Sequence, residues 1–445
     1  MRIIKISVKG LFGIFDHEIP LNTEERITII HGLNGFGKSN ILRMLDGLLN
    51  YKYSVLIKVP FDNFKVHFDN ESILEVEKNK FEFVDETKEN IVLNFYNKGL
   101  DKVSFCPDKD YKYLDFYEDT KTNLLNYEKY IETVNRIRTA TNKIIKYPLD
   151  SETKIQIRSP KSIHFLEEPD WLDNIRKTIN IRLIESQRLL DVNNSDSSTM
   201  LPTVSTYSKE LARLMRDKFA EYGKESQSLD RTFPIRAVQQ QHSSDLTDKQ
   251  LKEQLNKLEN IRTHLTELGL LDKEENSEFP NQLQDIDEST RNILSVYVED
   301  TKKKLNIFND IASKIELLKT IINRKFAYSY KEMNFSKEQG FVLTTCYPKA
   351  TESDSKTIAP TDLSSGEQHE LVLLYELLFK VEPNSLVLID EPELSLHVGW
   401  QSQFLKDLKE ITELADLDIL MATHSPDIIQ DRWDDLTVEL KAPEK

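Results

Sequence analysis

The N-terminal segment reads as strands. "RIIKISV" alternates apolar and polar positions as a half-buried strand does, "HEIPL" follows after a glycine-containing turn, and "RITIIHG" is an almost continuous apolar run ending in glycine. The helical spacing of "SNILRMLDGLLN" comes next. Between Phe64 and Phe105 the short runs "KVHF", "SILEVE", "FEFV", "NIVLNFY" and "KVSF" are separated by polar or Gly/Asn turns. These predict a small antiparallel sheet rather than a further strand–helix–strand unit. Helical spacing is then expected from about Asp115 to Lys146, a strand "KIQIR" from Lys154, and another in "INIRLIESQRLL" that enters a turn near Ser186.

The pattern changes in the middle of the chain. Residues Asp191 to Thr203 are rich in Ser, Asn and Asp and predict a loop. Beyond it Leu251, Leu258 and Leu265 stand seven apart with Ile261 and Leu268 at the complementary positions, the seam of a helix packed along another. A polar stretch from Asp272 to Thr290 interrupts this pattern, and Phe308, Ile311, Ile315, Leu318 and Ile322 resume it. The spacing predicts a short antiparallel helical hairpin reaching about 35–40 Å; a helical bundle folded onto the core is the other arrangement it allows. "FVLTTCY" returns to strand spacing. The last hundred residues then alternate: helix Glu367–Lys380, strand Ser385–Asp390, helix Val398–Leu414, strand "DILMATH" and a terminal helix or turn. The expected division is residues 1–190 and 336–445 as two parts of one α/β body, with residues 191–335 as a helical insertion.

Composition narrows the function. A chain of 445 residues has the length of two or three bodies, or of one α/β domain with an insertion. The formal charge of −16 argues against a uniformly basic nucleic-acid-binding surface. Arg136, Arg138, Lys143, Lys146, Lys154, Arg158, Lys161, Arg176, Lys177, Arg182 and Arg188 still form either a solvated face or a local nucleic-acid groove. Two cysteines, Cys106 and Cys346, make no disulfide framework or paired metal spacing. "LVLLYELLF" is too short to span a membrane and contains Glu376, and no signal segment is visible, so a cytoplasmic protein without membrane contact is expected.

Candidate chemistry begins with "GLNGFGKS", Gly32 to Ser39, placed between an apolar strand and a helix. This is the phosphate-loop pattern: glycines let backbone N–H groups curl around phosphate oxygens, Lys38 reaches the β- and γ-phosphates, and the Ser39 hydroxyl is a Mg²⁺ ligand. Asn34, Gly35, Phe36, Gly37, Lys38, Ser39 and Asn40 are the expected ATP contacts, with the bulky Phe36 side chain turned away. In "SLVLIDEPELSLH" a buried strand delivers Asp390 and Glu391 at its carboxyl end, where parallel sheets bind ligands. Asp390 then holds Mg²⁺ and its water shell while Glu391 orients and deprotonates the attacking water; otherwise both acids cap the next turn. His424 in "LMATHSP" ends another apolar strand, expected beside the γ-phosphate unless it is structural. Gln187 either senses Mg²⁺ or the attacking water, or is a plain turn residue. "TDLSSGEQHE" is a helix start, with Ser364 as hydroxyl cap and Glu367 as early acid.

In this order the elements resemble the ABC-type ATPases of the SMC/Rad50/RecF class. The phosphate loop, the Q-loop candidate Gln187, the helical insertion, the signature "LSSGEQ", the Walker B strand "LVLIDEP", the D-loop "ELSLH" and the switch histidine His424 all find a place. The resemblance implies an α/β ABC/SMC-type P-loop NTPase head with an antiparallel β subdomain and a short inserted helical hairpin. It also implies that two heads sandwich two ATPs. Ser364, Gly366 and Glu367 would then meet nucleotide held by the opposite copy, with Leu394, Ser395 and His397 lining the contact. The insertion is much shorter than the tethering coiled coils of SMC or Rad50 proteins and has no zinc-hook CxxC. The chain also ends about twenty residues after His424, without the Toprim domain of the overcoming-lysogenization-defect enzymes. "VKGLFG", "HGLNGFGKSN", "SQRLL", "LDRTFP" and "LSSGEQHELVLLYELLF" are most similar to the ATPase of PARIS-type anti-phage defence, with Septu and retron-associated ATPases as neighbours. That narrower resemblance implies a higher homo-oligomer, a phage protein as trigger and a separate toxic nuclease of Toprim type. A DNA-binding repair or recombination ATPase is the alternative.

Overall fold

The structure, a computed structural model, describes residues 1–83, 86–98, 101–107, 168–191, 201–239, 247–272, 287–346, 356–430 and 432–442. The helix expected between Asp115 and Lys146, the strand at Lys154 and the basic residues from Arg136 to Lys161 lie outside them. Among the described residues no helix is long and apolar enough to cross a membrane.

The N-terminal strands build an antiparallel sheet. Strands β1 (Ile3–Leu11) and β2 (Phe15–Pro20) pair across a tight turn, and β3 (Ile27–His31) leaves them for a different sheet. Helices α1 (Lys38–Leu49) and α2 (Tyr53–Lys58) follow, and β4 (Asn63–Phe68) returns beside β1. Strands β5 (Ile73–Phe83), β6 (Glu86–Tyr96) and β7 (Val103–Phe105) complete the order β2-β1-β4-β5-β6-β7. The runs "SILEVE" and "FEFV", expected as two strands, are one. Lys78, Asn79 and Lys80 between them pair with Ile91, Asn90 and Glu89, so the backbone ladder carries through a polar stretch that contains no glycine or proline to stop it.

The second sheet joins the two ends of the chain. After α3 (Asp170–Thr178) comes β8 (Ile181–Ile184), and near the C-terminus β14 (Leu386–Asp390), β15 (Asp418–Ala422) and β16 (Thr437–Glu439), in the parallel order β16-β3-β15-β14-β8. Both faces are covered, which is why these strands read as unbroken apolar runs. Ile30, Leu386, Leu388 and Leu420 pack with Ile41, Leu42 and Leu45 of α1 and with the antiparallel sheet. Their neighbours Ile29, Val387, Ile389 and Met421 face the opposite core, which holds the helix α8 (Ser365–Tyr375) and α9 (Val398–Ala415). The period-two alternation of a strand thus divides its side chains between two cores.

The insertion is arranged differently from the expected hairpin. Short strands β9 (Leu190–Asp191) and β10 (Leu201–Pro202) pair and lead into α4 (Thr203–Gln239), a helix of 37 residues spanning about 55 Å. Helices α5 (Asp248–Glu267), α6 (Glu288–Asn306) and α7 (Asn309–Phe326) follow. The antiparallel pair is α4 with α6, where Arg236 meets Asp300 and Lys304 meets Asp230. Helices α5 and α6, flanking the polar stretch read as the hairpin connection, run in the same direction: Arg291 bonds Asp248 at their starts and Arg262 reaches Tyr297 further along. Leu251, Leu255, Leu258 and Leu265 of α5 belong to the same core as Ile315 and Ile322 of α7 and Leu371 of α8, so the insertion is continuous with the head rather than a detached arm. Strands β11 (Lys331–Ser336), β12 (Gly340–Thr345) and β13 (Thr357–Ile358) form a small antiparallel sheet beside α4 and α7.

Candidate functional site

Four loops leave the carboxyl edge of the parallel sheet side by side: the phosphate loop after β3, the His424 segment after β15, the Asp390–Glu393 turn after β14 and the Gln187 loop after β8. That edge is where ligands of such sheets bind. Gly37 sits in the left-handed region at φ 88°, which favours glycine, and starts α1; a Cβ there would come within 2.4 Å of Leu11 Cδ2, so that side chain would also have to shift. Phe36 is turned away as expected, packed 5.1 Å from Phe15 with its carbonyl 3.1 Å from His17 Nε2. Asn34 and Gly35 form the outer bend of the loop and are exposed, while Asn40 is half-buried in the first turn of α1. A cavity of about 540 Å³ beside the loop is lined by Asn34, Phe36, His424, Glu439 and Lys441.

Lys38 is 5% exposed and donates to the carbonyl oxygens of Gly32 at 2.8 Å and Leu33 at 3.1 Å. Burial pushes its ammonium below the ordinary range, and Glu391, Asp390 and Glu393 pull it back. His424 Nδ1 lies 3.4 Å from Lys38 Nζ. An ammonium has only protons to offer, so Nδ1 faces it as acceptor and the ring proton belongs on Nε2, which lies 4.0 Å from Glu391 Oε1. Ser39 Oγ donates to Asp390 Oδ1 at 2.8 Å across 351 residues of chain. Glu391 stands at φ 47°, its N–H donating to the carbonyl of Ala422 at 2.9 Å. The change of backbone hand after Asp390 directs the two adjacent acids differently: Asp390 is buried, and Glu391 is about a third exposed.

The start of α8 is a capping box. Ser364 Oγ accepts from the Glu367 N–H at 3.4 Å and the Glu367 carboxylate accepts from the Ser364 N–H at 2.8 Å. Glu367, expected as a nucleotide contact, is 3% exposed, and its carboxylate also receives Lys331 at 2.7 Å and Ser329 at 2.8 Å. Its place is therefore in shaping the helix end, leaving outward contact to Ser364 and Gly366. A Cβ on Gly366 would come within 2.4 Å of the Ser395 carbonyl oxygen, so the signature helix and the D-loop of one chain touch through bare backbone. Leu394, Ser395 and His397 are exposed, and His397 Nδ1 caps α9 by accepting from Gly399.

His369, one turn into α8, is buried, and desolvation together with the nearby Arg188 charge pushes it down to about 4 from 6.5. A folded-state value below the unfolded one means that the unfolded chain takes up the proton first. Stability carried by neutral His369 is therefore complete above pH 6.5 and is lost as pH falls toward 4, by on the order of 2–3 kcal/mol. His369→Gln should flatten this limb in chemical denaturation across that range; an unchanged pH slope would show that His369 does not contribute.

Gln187 is exposed in the loop after β8, and the structure gives it no hydrogen bond to the phosphate loop or to Glu391. Its neighbour Arg188 is buried and bonds to carbonyls in α8 and in the turn after Asp390. Glu393 was also missed: its Oε1 accepts from the His424 N–H at 2.7 Å. The only sequence signal for it was a second acid two residues after Glu391. Lys325, Glu370 and Asp407 form a buried charged group linking α7, α8 and α9 that the helical pattern does not reveal.

A profile described as AAA ATPase domain matches residues 1–429 of the chain. Protein ea59 of Escherichia phage lambda is 38% identical over 69 residues, 16% of this chain and only 13% of that protein's length. Among solved structures, the SMC head domain from Thermotoga maritima aligns over 99% of this chain and 95% of its own, at 11% identity and TM-score 0.34. The Smc head domain with an extended coiled coil bound to the C-terminal domain of ScpA, derived from Pyrococcus furiosus, aligns over 96% and 91%, at 14% identity and TM-score 0.32. With a phosphate loop and an acidic strand end joined on one parallel sheet, and a profile match spanning nearly its whole length, this chain belongs to the AAA ATPase domain family and folds as an α/β P-loop ATPase domain.

Proposed function

We propose that the chain binds and hydrolyses ATP as an ABC-type head, two copies closing around two nucleotides and opening after hydrolysis. The observation that carries this is the Ser39–Asp390 hydrogen bond of 2.8 Å, with Glu391 and His424 4.0 Å apart at the same sheet edge. Asn34 to Asn40 would wrap the phosphates, with Lys38 exchanging the Gly32 and Leu33 carbonyls for phosphate oxygens. Ser39 and Asp390 offer two hard oxygen donors that fit Mg²⁺, phosphate oxygens and water completing the shell. The ion, when bound, neutralises charge on the β- and γ-phosphates. Glu391 is suited to take the proton of an attacking water, being partly exposed and free of a strong pairing. His424 would contact the γ-phosphate through Nε2, and Gln187 would reach Mg²⁺ or the water once its loop moves inward. The exposed Ser364, the half-buried Gly366 and the D-loop then complete the site of a second copy.

For the output of this cycle we infer control of a separate effector, a Toprim-type nuclease held by a homo-oligomer and released on a phage-protein trigger in the cytoplasm. It rests on the similarity to PARIS-type ATPases. DNA binding across paired heads is the second reading, supported by the resemblance of the chain's motifs to the SMC/Rad50/RecF class. Co-purification with a nuclease encoded next to this chain, in amounts that change with ATP, supports the first. ATP-dependent, salt-sensitive DNA binding without such a partner supports the second.

Lys38→Ala tests the site itself. Loss of charge-assisted hydrogen bonds of about 1.5–3 kcal/mol should weaken ATP binding roughly ten- to hundredfold in a titration. Near-normal affinity would remove the phosphate loop from the site.

A further inference from the structure

Arg188 lies at the foot of the loop carrying Gln187 and is 6% exposed. Its Nε donates to the His369 carbonyl in the signature helix at 3.3 Å, and Nη2 to the Pro392 carbonyl in the turn after Asp390 at 3.4 Å. The third nitrogen, Nη1, is buried with no hydrogen-bond partner among the described residues. Glu393, next to Pro392, shows the complementary condition: Oε1 holds the His424 N–H at 2.7 Å and Oε2 is buried with no hydrogen-bond partner. A guanidinium and a carboxylate thus flank one turn, each with one buried polar atom unsatisfied, a condition costing about 1–3 kcal/mol per atom. Burial works against the Arg188 charge, and Glu370, Glu376 and Glu393 support it.

We propose that Arg188 and Glu393 are a positioning pair that ties the Gln187 loop and the signature helix to the backbone of His424. Neither residue touches the reacting atoms. Arg188 spans two carbonyls on different elements, and Glu393 carries the connection one step further to the switch histidine. Inward movement of the Gln187 loop brings Nη1 to Oε2, satisfies both atoms, and draws the Pro392 turn and the His424 N–H into one arrangement with α8. Occupancy of the nucleotide site and placement of the signature helix are then coupled within a single chain. The inference rests on the ATPase reading above.

The test is a double-mutant cycle in the full-length protein with Arg188→Met and Glu393→Ala, measuring phosphate release at saturating ATP and ATP affinity separately. Each single change should lower kcat roughly ten- to hundredfold with ATP affinity within about threefold, as expected when only transition-state placement suffers. The double variant should be no worse than the poorer single one, because both act on one link. Losses that multiply, or kcat within about threefold of wild type in either single variant, overturn the pair. Arg188→Lys and Glu393→Gln keep size and hydrogen-bonding groups, and guard against misfolding in the first set. Each should fall between wild type and its larger substitution; wild-type turnover in Glu393→Gln would show that the negative charge has no role. A wild-type protein that releases no phosphate overturns the ATPase reading itself, whereas an active wild type with unaffected variants overturns only the pair.

Discussion

Glu391→Gln should keep ATP binding, lower hydrolysis about 10²–10⁴-fold and accumulate paired heads when ATP is added. The substitution keeps the shape of the side chain and a group able to hydrogen-bond water, but an amide does not accept the proton that a nucleophilic water must lose. Lys38, Ser39 and Asp390 are untouched, so the phosphate contacts survive. Glu391 is about a third exposed and His424 lies 4.0 Å from it, while the buried Lys38 that its charge supports keeps Asp390 and Glu393 nearby, so the substitution should not threaten folding. Single-turnover phosphate release and light scattering after size exclusion, each with and without ATP, read the two halves of the prediction. A variant that hydrolyses within about tenfold of wild type would remove Glu391 from the role of base. One that stays monomeric with ATP would remove the sandwich.

Lys325→Met should cost about 3–5 kcal/mol of stability, because it leaves carboxylates buried without their cation. Lys325 and Glu370 are both 0% exposed and Asp407 is 1% exposed; Lys325 Nζ lies 2.7 Å from Asp407 Oδ2 and also pairs with Glu370. Burial alone would depress the Lys325 ammonium, yet Glu370 and Asp407 hold it above its ordinary value. Arg324 also pairs with Asp407, leaving Glu370 as the acid most exposed to the loss. Adding Glu370→Leu to Lys325→Met should recover part of the stability, since the combined change removes the stranded charge rather than the pair. Denaturant midpoints for wild type, single and double variants decide this: an unchanged midpoint in Lys325→Met, or no recovery in the double variant, contradicts it. The consequence reaches function, because the three residues join α7 of the insertion to the signature helix and to the helix after the D-loop.

The strands around the site were legible because a parallel strand buried on both faces writes a continuous apolar run. "RITIIHG", "SLVLID" and "DILMA" all appear as strands close to their expected bounds. The cap at Ser364 was legible for a similarly local reason: both hydrogen bonds of the box lie within four residues. The insertion was less so. Helical periodicity identifies the buried face of α5, but the direction of its partner depends on where the connection between residues 272 and 288 travels, and spacing along one helix carries no information about that. The continuous α4 was missed because its buried apolar residues, Tyr207, Leu211 and Met215 among them, are confined to the end that touches the head, while Ile235 and Val238 near the other end are exposed.

Local spacing therefore determined the phosphate loop, the strand that ends in Asp390 and Glu391, and the helix start at Ser364. These are features whose hydrogen-bonding and packing logic repeats over a few residues. Only the tertiary structure decided that Ser39 and Asp390 share a hydrogen bond, that Glu393 holds the His424 backbone, that Arg188 is buried and bonded to the signature helix rather than lying on a basic surface, and that Glu367 is engaged in its own cap. Each of those depends on strand order in the sheet or on the packing of one helix over another. A buried charge is admitted only where partners converge from distant segments, so its role is written in the contacts and not in its neighbours along the chain.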